Sequence, residues 1–421
     1  MENRLLDYSK FCVEGTELLD GQKISGLNSY VSYGVLIHEN VDVAKLNECV
    51  KSLYREIDCF HMHLVQDENG FAYGFDPNIG EEVHLLKAEG EKPEEKLRFA
   101  KNHVLKQSSW VRDRFSYSPF FVELFEIEPE EYFLAAYLDR YVSDGHSIGV
   151  ALMKLLGAYR DTVIEGGVST KSMMDYMRSL DTEQHREKAR QDALYWKEHL
   201  KGFALLPYEK KSDTRAFEDE NVCVYLPKQE IVTKARALRS TLGNLLMAAY
   251  HLTIYEVFGK EDNVISYVST DRNTLEQWGI IGPFLKPLSS RVTVEKNLSV
   301  KDFIKKVAKE SGENLRHKDA AIQDIPLSRY GMLFLNHSKP FLTDPVFTQW
   351  MPGLYLDEVE GAFFYLRMQE LAQEIEVTFV CNRERICKED YEKVVDCFLN
   401  DIKKLCNHPQ DELSSILKEE E

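Results

Sequence analysis

The chain has 421 residues, of which 43% are hydrophobic and 29% charged, a mix that excludes a disordered tract, a collagen and a membrane protein. Lys plus Arg number 52 against 70 Asp plus Glu, a formal net charge of −18. So acidic a surface lacks the basic footprint of nucleic-acid or anionic-membrane binding and can steer the protein toward a basic partner surface. Residues 29–37 (SYVSYGVLI) are rich in β-formers, and Val43, Leu46, Val50 and Leu53 recur at helical spacing over 43–56. Cys59 to Val65 reads as a strand, Asp67 to Gly70 as a turn and Phe71 to Phe75 as the partner strand. A second pair is expected at 119–126 and 132–138. After Asp144-Gly145 comes a helix with Ile148, Leu152, Leu155 and Tyr159 on one face, running into a turn at Glu165-Gly166-Gly167.

Residues 183–200 form a charged helix with Leu194, Tyr195 and Leu200 as apolar anchors, followed by a polar break at Lys210 to Asp213. Thr241 opens an apolar helix that stops at Gly259. Strands follow at 263–268 and through Leu288, Val292 and Val294. Ser299 and Asp302 resemble a capping box at the start of a helix with Phe303, Ile304 and Val307 as its core face. Strands at 331–336, 362–368 and 374–381 precede a last helix carrying Tyr391, Val394, Phe398, Ile402 and Leu405. The order is mixed rather than strictly alternating, which points to α+β layers and not to a barrel or a doubly wound sheet.

The N-terminal MENRLLDYSKFCVEG has neither the basic start nor the apolar core of a signal peptide, and no stretch approaches the ~18 apolar residues of a membrane span. The eight cysteines form no C-x-x-C, so reduced thiols in a cytoplasmic protein are expected. Gly145-His146-Ser147-Ile148-Gly149 fits G-x-S-x-G, the nucleophile turn of serine hydrolases, yet the apolar strand ends near Leu138, well short of Ser147. His61 and His63 would share a strand face, but a metal needs a third ligand that the sequence does not offer. No metal site and no phosphate-binding glycine loop is expected.

The segment Tyr132 to Ser147 (YFLAAYLDRYVSDGHS) carries the most information. An apolar strand runs into a short polar loop, then Asp-Gly, then a helix start. This resembles the HHxxxDG core of the condensation domains of nonribosomal peptide synthetases. Leu46 to Leu64, Tyr195-Trp196-x-x-x-Leu200, Ile265 to Arg272 (ISYVSTDR), Ile281 to Leu285 with Arg291, and Gln323 to Pro326 resemble further segments of that family, in order. The resemblance runs from about residue 25 to the C-terminus. It implies two chloramphenicol-acetyltransferase-like α+β lobes in a V with a tunnel between them: an N-terminal lobe at 1–165, a bridging helix and linker at 166–214, and a C-terminal lobe at 215–421. It implies a free-standing protein that joins a carrier-bound acyl or aminoacyl group to an amine or alcohol, with the carrier's phosphopantetheine arm as substrate and no tightly bound cofactor. A carrier protein or a tailoring enzyme would be its partner in trans.

Aligning Asp-Gly on Asp144-Gly145 puts Asp139 and Arg140 where the family has its two histidines, and Lys286 and Pro287 where it has an asparagine and a threonine. A guanidinium stays protonated and cannot act as a base. Arg140, His146 and Gly145 are therefore expected at the catalytic position, with His146, where the family usually has an aromatic residue, the nearest candidate for a substitute base. Ser147, Lys286 and Phe284 would line the tunnel. Asp144 would pair with Arg291, and Asp139 or Asp144 would compensate Arg140. The alternatives are a non-catalytic platform, since a branch of the family with arginine at the second histidine position recruits oxidases, and a serine hydrolase using Ser147.

Overall fold

The computed structural model describes residues 6–7, 30–67, 70–108, 114–161, 172–203, 221–321, 324–325, 328, 330–335, 344–350, 364–381 and 386–417. They fall into two compact units, each discontinuous in sequence. The first comprises residues 1–187, 270–286 and 340–353, and the second 188–269, 287–339 and 354–421. A contiguous division at 1–165 and 215–421 does not describe them. Two later stretches belong to the first unit, and the boundary falls inside the helix Glu183–His199. The breaks at Glu165 to Gly167 and Lys210 to Asp213 lie outside the described residues.

In chain order, the first unit contains β1 (Leu6–Asp7), β2 (Tyr30–Ile37), α1 (Val43–Glu56), β3 (Met62–Asp67), β4 (Gly70–Phe75) and β5 (His84–Lys87). It continues through α2 (Pro93–Ser108), β6 (Phe120–Glu128), β7 (Glu131–Asp139), α3 (Gly145–Tyr159), α4 (Met173–Leu180) and the start of α5 (Glu183–His199). The chain then supplies β8 (Cys223–Pro227), α6 (Lys228–Ala237), α7 (Leu242–Phe258) and β9 (Asp262–Thr270), followed by α8 (Leu275–Trp278). The remaining elements are β10 (Leu285–Thr293), α9 (Val300–Asn314), β11 (Tyr330–Leu335), β12 (Phe347–Trp350), β13 (Phe364–Glu370), β14 (Glu374–Cys381), α10 (Lys388–Asn407) and α11 (Leu413–Ile416).

The main sheet of the first unit runs β12-β2-β7-β6-β5. Its central strand β7 is buried on both faces, which is why its sequence reads as an unbroken apolar run. Leu134, Ala136 and Leu138 pack with Leu46, Val50 and Leu53 of α1 and Ile148, Leu152 and Leu155 of α3. On the opposite face Phe133, Ala135 and Tyr137 pack with Ala100 and Val104 of α2. Alternation along one strand thus builds two cores. The expected strand from Cys59 begins later: Asp58–His61 is a 3-10 turn, and pairing starts at Met62. The Asp58 carboxylate accepts the Cys59 amide at 2.8 Å and holds the backbone in the turn. His61 and His63 therefore do not sit on one strand. Among the described residues no group of His, Cys, Asp or Glu is placed to hold a metal ion.

The second unit is built on a mixed sheet of order β10-β9-β11-β13-β14-β8. β11 runs parallel to β9 and β13, whereas β14 is antiparallel to both of its neighbours. One apolar core joins this sheet to α7, α9 and α10. α7 keeps both ends expected from sequence. The Thr241 hydroxyl accepts the Asn244 amide, and Gly259 closes the helix at φ 63°. At α9 the Ser299 hydroxyl accepts the Asp302 amide but donates to the Asp302 carboxylate, so only half of a capping box forms. On α5 the buried positions are Asp192 and Trp196, one helical turn apart, and Leu194 is 66% exposed rather than an anchor. The Trp196 indole donates to the His317 carbonyl at 2.7 Å.

His251 is fully buried on α7, between the Asn263 carboxamide oxygen at Nδ1 (2.5 Å) and the Ser290 hydroxyl at Nε2 (3.1 Å). Burial lowers its pKa from 6.5 to about 4. The unfolded chain therefore binds a proton that the folded chain refuses between those values. The contribution of neutral His251 is complete above pH 6.5 and is lost as the pH falls toward 4, by on the order of 3 kcal/mol. Buried Asp401 has the opposite sign, because its carboxyl is raised to about 7 by burial and the nearby Glu256. The test is consequently a comparison: the wild type minus His251→Gln, by urea unfolding at pH 7 and pH 4.5. The wild type is expected to lose relative stability at the lower pH.

Candidate functional site

At the end of β7 the chain makes a one-turn 3-10 helix, Arg140–Val142, and then enters α3 with Asp144 as its N-cap. The cap is why Asp144 stands where it does: its carboxylate accepts the Ser147 amide at 2.9 Å and satisfies an otherwise orphan helix donor. The same carboxylate takes the Ser147 hydroxyl at 2.8 Å and the Phe284 amide at 3.2 Å. Its charge partner is Arg272, with Nη2 at 3.0 and 3.1 Å from the two oxygens. Both side chains are inaccessible to solvent. Burial opposes ionisation of Asp144, but the Arg272 charge and the Ser147 donors outweigh it, and the pKa lies below the ordinary carboxylate value.

Arg272 is held through both of its terminal nitrogens, while its buried Nε has no hydrogen-bond partner among the described residues. Nη1 donates to the carbonyls of Ile280, at 2.7 Å, and Gln277. Its guanidinium carbon lies 4.1 Å from the centroid of the Phe284 ring, a cation–π contact. Gly282 beside them lets Met173 pack against the backbone, since a Cβ there would stand 2.1 Å from Met173 Sδ. Gly282→Ala is expected to cost about 1–3 kcal/mol in urea unfolding. With Met173→Ala the combined loss should fall short of the sum, because the added methyl then has room.

The sequence expectation paired Asp144 with Arg291, and the geometry corrects it. Arg291 lies in the second unit, bonds to Asp262 at 2.7–3.2 Å, and caps the end of α5 through the carbonyls of His199 and Lys201. The signal for Arg272 was present in the segment ISYVSTDR, which ends on it.

Asp139 is also fully buried, and Arg114 grips it with Nε at 2.9 Å and Nη2 at 2.7 Å. Burial still wins, and the Asp139 pKa is raised despite Arg114 and the neighbouring Arg140 charge. Nothing in the sequence reading pointed to Arg114. The two acids expected to compensate Arg140 are thus bonded to other arginines: Asp139 to Arg114 and Asp144 to Arg272. Arg140 itself is half-buried in the 3-10 turn. Tyr141 locks that turn, donating to the Met62 carbonyl at 2.8 Å while its own carbonyl accepts the Tyr73 hydroxyl at 2.6 Å.

His146 has Nε2 2.8 Å from the Trp278 carbonyl and its ring edge-on to Trp278 at 4.9 Å. A carbonyl only accepts, so Nε2 carries the proton, and Nδ1 is shielded from solvent. The lone pair of the ring therefore sits on Nδ1, the nitrogen that faces away from Trp278. Ser147 is fully buried. Its hydroxyl is engaged by Asp144, Arg272 at 3.1 Å, and both the amide and carbonyl of Gly282 at 3.0 and 2.9 Å. None of these partners is an imidazole, so the serine-hydrolase reading fails on geometry. Gly145 opens α3, and its carbonyl accepts the Tyr33 hydroxyl at 3.0 Å. Lys286 is half-buried on β10, without a hydrogen bond or ion pair among the described residues. Of the segment Gln323 to Pro326, only Asp324 and Ile325 lie within the described residues.

Residues 23–349 match the Condensation domain family. The chain belongs to the condensation-domain family. This condensation domain is 22% identical over 306 residues to surfactin synthase subunit 1 of Bacillus subtilis, covering 70% of this chain and 8% of that protein. It is 20% identical over 413 residues to bacitracin synthase 2 of Bacillus licheniformis, covering 92% of the chain and 15% of the relative. The chain therefore spans a small fraction of the length of these relatives. Among solved structures, the X-domain from teicoplanin biosynthesis superposes with a TM-score of 0.77 at 16% identity, covering 100% of this chain and 98% of that one. The starter condensation domain of rhizomide synthetase gives 0.72 at 15% identity over 93% and 92%. The fold is thus the chloramphenicol-acetyltransferase-like α+β fold of condensation domains. No helix among the described residues is long and apolar enough to cross a membrane.

Proposed function

We propose that this condensation domain serves nonribosomal peptide biosynthesis as a docking platform, binding in trans a carrier protein with its phosphopantetheine arm or a tailoring enzyme, and not as an amide-forming catalyst. The observation that carries this reading is the state of the two positions that hold histidines in the family motif. One is Asp139, buried and locked to Arg114, and the other is Arg140. Neither supplies an imidazole, and His146 has its Nε2 committed to a backbone carbonyl. The similarity in fold to the X-domain from teicoplanin biosynthesis, which was also solved in complex with OxyB, supports the platform.

The test uses a phosphopantetheine carrier loaded with acyl or aminoacyl groups, plus an amine or alcohol acceptor, read by intact mass. General acid–base assistance is worth about 10² to 10⁴ in rate. Product formation is therefore expected to stay near the uncatalysed level, while sedimentation shows saturable binding of the carrier or the tailoring enzyme. Robust turnover that Arg140→Ala leaves intact and His146→Ala abolishes would overturn the platform and make His146 the base. A second reading, slow transfer by positioning alone, is favoured by the Asp144–Ser147–Arg272 network that fixes the start of α3. It requires turnover that survives His146→Ala.

A further inference from the structure

The first unit carries a cleft of about 640 Å³ that shares no lining residue with the Asp144 network. Its volume lies within the roughly 300–1,000 Å³ of small-molecule sites. The cleft lies beside the last turns of α1 and the segment after β4.

One wall is aromatic. Tyr54 meets His61 edge-on with centroids 5.8 Å apart, and His61 lies 5.5 Å from Phe75. Pro77 and Ile79 extend the apolar surface. The other polar atoms of this wall are already engaged, and His61 Nδ1, which has no partner among the described residues, is shielded from solvent. The Tyr54 hydroxyl bonds to Ser118 Oγ at 2.7 Å and the Phe120 carbonyl at 2.5 Å, and His61 Nε2 donates to the Tyr54 carbonyl at 2.5 Å. What remains for a ligand is ring surface, which favours stacking or edge contacts with another ring.

Three carboxylates, Asp58, Glu81 and Glu82, and two cations, Lys51 and Arg55, line the cleft, and they are not all engaged in the same way. Asp58 accepts the amides of Cys59, Met173 and Met174. Glu82 pairs with Lys51 at 3.3 Å, and Glu81 with His84 at 3.0 Å. Arg55, exposed in the last turn of α1, has no ion pair or hydrogen bond among the described residues. Every carboxylate lining the cleft thus has a hydrogen-bond or ion-pair partner, while one guanidinium stands open, and a planar guanidinium is suited to a carboxylate.

We propose that this cleft is a binding site for an aryl carboxylate, its ring against Tyr54, His61 and Phe75 and its carboxylate on Arg55. The site is independent of the platform reading. The probe is 4-phenylbutyrate titrated onto the full chain, with neutral 4-phenylbutyramide as control, followed by calorimetry and saturation-transfer NMR. The acid is expected to bind about tenfold more tightly than the amide, the contribution of one charge-assisted contact. Arg55→Gln should bring the acid to the amide's level, with Arg55→Lys between them. Ile79→Glu should expel the acid by charge repulsion. Arg55 is exposed, so the unfolding midpoint of its variants should not move. Equal binding of acid and amide, acid binding unchanged in Arg55→Gln and Ile79→Glu, or no binding of either compound would each overturn the site.

Discussion

Asp144→Ala is expected to lower the stability of the first unit by about 3–5 kcal/mol in urea unfolding, because it strands the buried Arg272 guanidinium without its anion. Ser147 and Phe284 lose a shared partner at the same time. Arg272→Met should cost a similar amount for the mirror reason. The double variant Asp144→Leu with Arg272→Met should lose less than the sum, since it leaves neither charge stranded. The pH dependence has a definite sign. Asp144 is depressed in the folded state, so its contribution is complete above the unfolded value of about 3.9 and disappears as the pH falls through the folded value. Between pH 8 and pH 5 the penalty for Asp144→Ala should therefore stay constant.

Arg114→Leu is expected to be comparably damaging at pH 7, about 3–5 kcal/mol, because Asp139 is left as an unpaired buried carboxylate. Its pH dependence is the reverse. Without Arg114 the Asp139 pKa rises further, so the folded variant takes up a proton more readily than the unfolded chain. Its penalty should accordingly shrink as the pH falls from 7 toward 4, as read by unfolding midpoints relative to the wild type. The same pair limits any attempt to rebuild the family motif. Asp139→His places an imidazole against the buried Arg114 and removes its anion, so it should destabilise the unit rather than restore chemistry. Arg140→His leaves the pair intact and should be tolerated.

Much of the molecule follows from local sequence. β7 reads as strand because its apolar run is continuous. α1 is set by its apolar spacing, and α7 by the hydroxyl at Thr241 and the left-handed Gly259. Asp144-Gly145 marks the start of α3 because an N-cap carboxylate is a short-range device, complete within four residues. The order of segments resembling condensation domains could likewise be read without coordinates. Helix α2 was not legible, since Ala100, Val104 and Ser108 are its only buried side chains and make a weak apolar stripe.

The charge pairings belonged to the tertiary structure alone. Arg272 and Arg291 both lie in segments of the right kind, and only the return of residues 270–286 to the first unit brings Arg272 to Asp144, 128 positions away. Arg114 reaches Asp139 through packing that no motif announces, and the His146 Nε2 meets the carbonyl of Trp278, 132 positions distant. Capping and periodicity are decided by neighbours a few residues apart. The partner of a buried charge is decided by desolvation, which acts on whichever group the folded chain brings within reach.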